Sequence, residues 1–93
     1  MNNPYKLTGA DLITVERRRQ QAALGITAEH DDQHDGGELL TAALFFIDES
    51  VSAMEWPWDE LPSARGDDRV ADLVKAGALV AAEIDRLLRA QTA

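Results

Sequence analysis

The pattern of apolar and polar positions along the chain predicts three helices and no strands. Helices are expected over about residues 10–24, 38–53 and 69–90, where apolar residues recur at i, i+3 and i+4. The row in the second helix is Leu40, Ala43, Leu44, Ile47, Val51 and Met54, and Phe45 and Phe46 widen it. The row in the third helix is Val70, Leu73, Val74, Gly77, Val80, Ala81, Ile84, Leu87 and Leu88. We expect both rows to face the core.

Residues that favour helix ends support these boundaries. Thr8 can begin the first helix, and Gly25 is a good residue to follow its end. Thr27 can cap a short helical turn that the Gly36-Gly37 pair would break, and Asp67 or Asp68 can cap the third helix.

The third helix is rich in small residues around Gly77, which favours close packing of another helix. We expect the second and third helices to pack antiparallel there, with the first helix across them. The Trp56-Pro57-Trp58 loop is expected to fold over the core. The fold class is therefore an all-α, compact three-helix domain that comprises residues 1–93. Because its core is thin, a homo-oligomer is expected, most simply a dimer through the third helix.

The charge distribution narrows the choice of partners. The net charge is −8, and residues 29–60 carry ten acidic side chains but no lysine or arginine. Such a chain is a poor general binder of duplex nucleic acid, whose phosphates require basic side chains. It favours cations or a basic protein surface. There is no cysteine and no run long enough to span a membrane, so we expect a cytoplasmic protein.

Both histidines and five acidic residues fall within residues 27–38. Carboxylates suit Mg²⁺ or Mn²⁺, so this segment is a candidate metal site. Its candidate ligands are Glu29, Asp31, Asp32, His34 and Glu38. A metal-dependent all-α nucleotide phosphohydrolase would use His30, Asp31, His34 and Glu38. The alternative is that these acids cap helices and keep the surface soluble.

A second set of residues is suited to a nucleotide-type ligand. The candidate phosphate-binding residues are Arg17, Arg18, Arg19 and Lys75, because guanidinium groups can bind phosphate bidentately. Trp56 and Trp58 can stack on a base. The alternatives are an arginine cluster that pairs with nearby acids and tryptophans that cover a thin core.

Several motifs taken together resemble a group of small proteins encoded by bacteriophages and prophages. The matching segments are Glu16–Gln20, Glu29–His34, Gly37–Leu39, Trp56–Trp58, Leu73–Leu79 and Ala82–Arg86. The chain departs from the group after Trp58, where it has Asp59-Glu60-Leu61-Pro62, and at Phe45 or Phe46, where a tyrosine is usual. The resemblance implies a phage accessory protein, a class that often counters host defences.

The leading prediction is therefore a phage-type, counter-defence binding protein. It would sequester a nucleotide signal or engage a basic host defence protein through its acidic surface. The alternative is the metal-dependent phosphohydrolase.

Overall fold

Helices are the regular secondary structure of the chain in the computed structural model, which describes residues 6–35, 37–59, 62 and 64–92. The α-helices are α1 (Gly9–Ala23), α2 (Ala28–Asp32), α3 (Glu38–Ile47) and α4 (Arg69–Thr92). A single 3-10 turn, Ala53–Glu55, follows α3. No strand occurs within the described ranges, so the all-α prediction is confirmed.

The ends of the helices lie where the capping residues predict them. Thr8 and Asp11 form a capping box: the Asp11 amide donates to Thr8 Oγ1 (3.2 Å), and the Thr8 amide donates to Asp11 Oδ2 (2.9 Å). Gly25, with φ +69°, follows the end of α1. Thr27 caps α2, and Asp68 Oδ1 accepts from the Ala71 amide in the first turn of α4.

Helix α3 ends earlier than predicted, at Ile47 and not near Ala53. Asp48 is extended, and its Oδ1 accepts from the amide (2.9 Å) and hydroxyl (2.7 Å) of Ser50. This local turn competes with the continuation of the helix. Arg65 and Arg69 then donate to the carbonyl oxygens of Phe45 (2.7 Å) and Phe46 (3.3 Å) at the helix end.

Helix α4 is the central element, since α1, α2 and α3 all pack on it. Arg69, at the start of α4, binds the carbonyl oxygen of Phe46 near the end of α3, so these two helices run antiparallel as predicted. The predicted cover over the core is also present: Trp56 and Trp58 pack against it. Half of the buried apolar residues in the described chain are alanine; all ten are Ile26, Leu39, Ala42, Ala43, Phe45, Phe46, Ala76, Ala78, Leu79 and Ala82.

The faces predicted to be buried on α3 and α4 are only partly correct: Ala43, Phe45 and Phe46 are buried, but many of the larger members are not. A set of large apolar side chains from the predicted rows is 38–52% exposed. We name this set the α3/α4 apolar face, and its members are Leu40, Leu44, Ile47, Leu73, Ile84 and Leu87. Val70 and Leu88 are also exposed, and Met54 is 94% exposed. The core is instead built on neighbouring positions such as Leu39, Leu79 and Ala82, because small residues there admit closer helix packing.

Gly77 does admit a close neighbour, but that neighbour belongs to α1. A Cβ built on Gly77 would lie 2.5 Å from Ile13 Cδ1 and 2.9 Å from Ile13 Cγ1. The glycine therefore allows α1 to approach the backbone of α4.

Candidate ligand-binding cavity

A cavity of about 440 Å³ lies where α1, α2, α4 and the Trp56-Pro57-Trp58 loop meet. Its aromatic lining consists of His30, His34, Phe46, Trp56 and Trp58. Its polar lining consists of Glu16, Arg19, Gln20, Asp59 and Lys75. Leu24, Ile26 and Leu79 complete the apolar part. A volume of this size lies within the range of roughly 300–1,000 Å³ that is usual for small-molecule sites.

The aromatic rings form a continuous series from the core to α2. Trp56 lies edge-to-face on Phe46 (5.7 Å between centroids) and on Trp58 (5.3 Å). Trp58 in turn lies edge-to-face on His30 (5.4 Å) and His34 (5.9 Å). Such contacts contribute about 0.5–1.5 kcal/mol each beyond burial, so the loop is held by several rings at once.

The two histidine rings are held by their Nδ1 atoms. His34 Nδ1 lies 2.6 Å from the carbonyl oxygen of His30, and His30 Nδ1 lies 3.1 Å from Asp31 Oδ1. The ring centroids are 4.2 Å apart, because the residues are one helical turn from each other. Both rings line the cavity.

Arg17 and Asp31 position this pair of histidines. Asp31 is fully buried and pairs with Arg17 Nη2 at 3.4 Å, and Arg17 Nη1 donates to the carbonyl oxygen of Ile26 at 3.0 Å. Arg17 Nη2 also lies 3.5 Å from Asp85 Oδ2 of α4. A single guanidinium therefore joins α1, α2 and α4 behind the cavity.

Two of the charged groups in the cavity lining, Glu16 and Arg19, are paired with each other. Arg19 binds Glu16 through two hydrogen bonds of 2.7 and 2.8 Å, and Gln20 Nε2 donates to Glu16 at 3.2 Å. Burial raises the pKa of the Glu16 carboxyl, but the bonds and charge of Arg19, the Gln20 bond and the Lys75 charge together lower it. The Glu16 bonds raise the pKa of Arg19. Lys75 Nζ donates to the carbonyl oxygen of Ala64 at 3.2 Å.

Three lining side chains carry buried polar atoms that have no hydrogen-bond partner among the described residues. These atoms are Gln20 Oε1, Trp56 Nε1 and Trp58 Nε1. Gln20 is 97% buried, since its exposed fraction is 3%. A buried polar atom without a partner costs about 1–3 kcal/mol. Residues that line the cavity therefore carry two donors and one acceptor that have no partner among the described residues.

The structure brings together four of the six side chains predicted to bind a ligand: Arg19, Trp56, Trp58 and Lys75. Arg17 lies behind the cavity in its ion pairs, and Arg18 is exposed and does not line it. Sequence reasoning missed Gln20 and Phe46 as lining residues. The spacing of Gln20 four residues after Glu16 was an available signal for the first.

The predicted metal site receives no geometric support. Within the described ranges, no three histidine or acidic side chains converge on a point that could hold an ion. Asp31 is turned inward to Arg17, whereas Asp32 pairs with Arg89 at 2.7 Å. Glu29 is exposed, and His34 lies in the cavity. Glu38 follows Gly37, whose φ of +94° redirects the chain at the start of α3; Gly36 lies outside the described residues.

Comparison with protein-family models, with curated proteins and with solved structures finds no match for this chain. Among the described residues, no helix is both long enough and apolar enough to cross a membrane. The function is therefore inferred from the cavity itself.

Proposed function

We propose that this protein is a non-catalytic binding protein for a planar heteroaromatic ligand of nucleotide type. The observation that carries the proposal is the aromatic cavity with unsatisfied polar atoms in its wall. Stacking on aromatic rings recognises any base, because every base has a π face. The cavity volume suits a ligand about the size of a mononucleotide.

The polar atoms of the wall indicate which edge the ligand presents. Trp56 Nε1 and Trp58 Nε1 are donors, and Gln20 Oε1 is an acceptor. A ring that carries both acceptors and a donor on its edge, as nucleobases do, would satisfy these atoms after small side-chain rotations. Relief of their burial cost then adds to the binding free energy.

The charges of the lining set a limit on the charge of the ligand. Arg19 and Lys75 are balanced by Glu16 and Asp59, so the lining carries no net formal charge when the histidines are neutral. The whole chain carries −8 and repels polyanions. We therefore expect nucleosides, monophosphates and cyclic nucleotides to bind better than triphosphates. This differs from a phosphate clamp of Arg17, Arg18 and Arg19.

Isothermal titration calorimetry with nucleosides, monophosphates, cyclic nucleotides and triphosphates tests the proposal. We expect saturable binding of at least one uncharged or singly phosphorylated compound. Trp58→Leu should weaken it about tenfold or more, since stacking of a base contributes about 1–3 kcal/mol. Arg19→Ala should change the affinity, whereas Arg18→Ala, the matched control outside the cavity, should not. Absence of binding across the panel, or full affinity in Trp58→Leu, would overturn the proposal.

Counter-defence is the physiological role we propose for this binding. A small protein that holds a nucleotide signal without converting it withdraws the signal from its effector in proportion to the protein present. Recovery of the unchanged nucleotide after heat denaturation of the complex would support sequestration, and recovery of a hydrolysed product would instead favour the phosphohydrolase. Engagement of a basic host protein through the acidic residues 29–60 is the outcome to pursue if no small molecule binds.

A further inference from the structure

The members of the α3/α4 apolar face lie on one side of the molecule, and Gly77, between Leu73 and Ile84, is covered by Ile13 of α1. On α3 its members are spaced by four and three residues, and on α4 Leu73, Ile84 and Leu87 follow heptad spacing. On each helix this row lies about a quarter turn beyond the residues that face the other helix. Because α3 and α4 are antiparallel, both rows are displaced toward the same side of the pair.

The area of this patch is large for a chain of this size. The six side chains expose on the order of 500 Å² together, which is at the upper end of the largest patch on an ordinary monomer. Val70 and Leu88, both exposed on α4, extend the patch toward the roughly 800 Å² that each partner buries in a stable interface. Meanwhile, half of the buried apolar residues in the described chain are alanine, and twelve large apolar residues are exposed.

We propose that a second copy of this chain covers the α3/α4 apolar face, and that the two copies are related by a twofold axis. The face is uncharged in a chain of which 28% of residues are charged. A basic protein would bind the carboxylates of this acidic chain and not the uncharged face. A twofold dimer, in contrast, buries the same apolar face of both copies against each other.

On α4, contact between the copies is made by the exposed side chains on either side of Gly77: Val70 and Leu73 before it, and Ile84 and Leu87 after it. Lys75 and Leu79 face the cavity from other positions on α4, so the dimer leaves both ligand cavities accessible.

Sedimentation velocity at micromolar concentrations tests the proposal. We expect a mass twice that of the 10.2 kDa chain. Leu44→Lys and Ile84→Lys should each give a single-chain mass with unchanged helical circular dichroism. Val15→Lys is the matched control, because Val15 is 59% exposed on α1 and lies outside the face. A single-chain mass for the unaltered protein, or a dimer that persists in both lysine variants, would overturn the proposal.

Discussion

The cavity side of the molecule and the α3/α4 apolar face invert the usual distribution of polarity. On the cavity side, Arg17 and Asp31 are buried as an ion pair and Gln20 is buried beside them, whereas the other side exposes leucine and isoleucine. The difference shows that burial in this small domain follows the ability of a position to pack or pair. Arg17 is buried because it has partners on α2, on α4 and in the loop between α1 and α2, and a large apolar side chain without a groove to enter stays exposed.

The largest effect is expected from breaking the buried ion pair. Asp31→Ala leaves Arg17 buried without its main partner in α2, and such a loss costs about 3–5 kcal/mol of unfolding free energy. Replacing both residues, as Arg17→Met with Asp31→Leu, should cost less than the single change, because no buried charge remains. Urea unfolding followed by circular dichroism measures both values. A single variant as stable as the unaltered chain would show that the pair does not hold α2.

Two neighbouring leucines on α3 test the difference between a buried and an exposed apolar position. Leu39 is fully buried and Leu40 is 42% exposed, although the apolar pattern placed Leu40 in the row that faces the core. Leu39→Ala should lower the unfolding free energy by about 2–5 kcal/mol. Leu40→Ala should lower it by less than about 1 kcal/mol. The measurement belongs in an Ile84→Lys background, so that loss of a dimer does not contribute. Equal losses would refute the assigned faces.

A smaller effect is expected where α1 crosses α4. Gly77→Ala gains about 1 kcal/mol of helix propensity but forces Ile13 to move. In an Ile13→Ala background the clash is gone, so the same change should stabilise the protein. A double-mutant cycle from thermal unfolding measures the coupling. If Gly77→Ala has the same effect in both backgrounds, then Ile13 does not limit the approach of α1.

The smallest effect is a dependence of stability on pH through Glu16. The pKa of the Glu16 carboxyl is lower in the folded chain than its ordinary value of 4.5, so the folded state binds fewer protons. Its contribution is therefore present above that value and is lost as the pH falls through the folded pKa. Glu16→Gln should lose less stability than the unaltered chain between about pH 5 and about pH 3. Parallel pH profiles of the two proteins would contradict this.

Local chemistry made the ends of most helices predictable from the sequence. Thr8, Gly25, Thr27 and Asp68 act through bonds or backbone angles within a few residues, which sequence spacing reveals. The Asp48–Ser50 turn that ends α3 is equally local. It was not predicted, because the apolar row continues past Ile47 and favoured a longer helix.

The buried faces and the site depend on contacts that are distant in sequence. Arg17 meets Asp31 fourteen residues away, and Gln20 reaches the carbonyl oxygen of Lys75. The apolar rows on α3 and α4 were assigned to the core because periodicity reports which face is apolar, not what covers it. The sequence predicted that Trp56 and Trp58 either cover the core or stack on the base of a ligand. In the structure they pack on the core and also line the cavity, so the first role is confirmed and the second stays a prediction.

The most direct test of ligand binding in the cavity uses the fluorescence of the tryptophans that line it. The chain has two tryptophans, and both line the cavity. Titration of the folded protein with nucleosides and cyclic or singly phosphorylated nucleotides should change the tryptophan emission saturably for at least one compound. An Arg18→Ala control should give the same curve. An emission spectrum that no compound of the panel alters, in protein shown to be folded, would contradict a ligand-binding cavity.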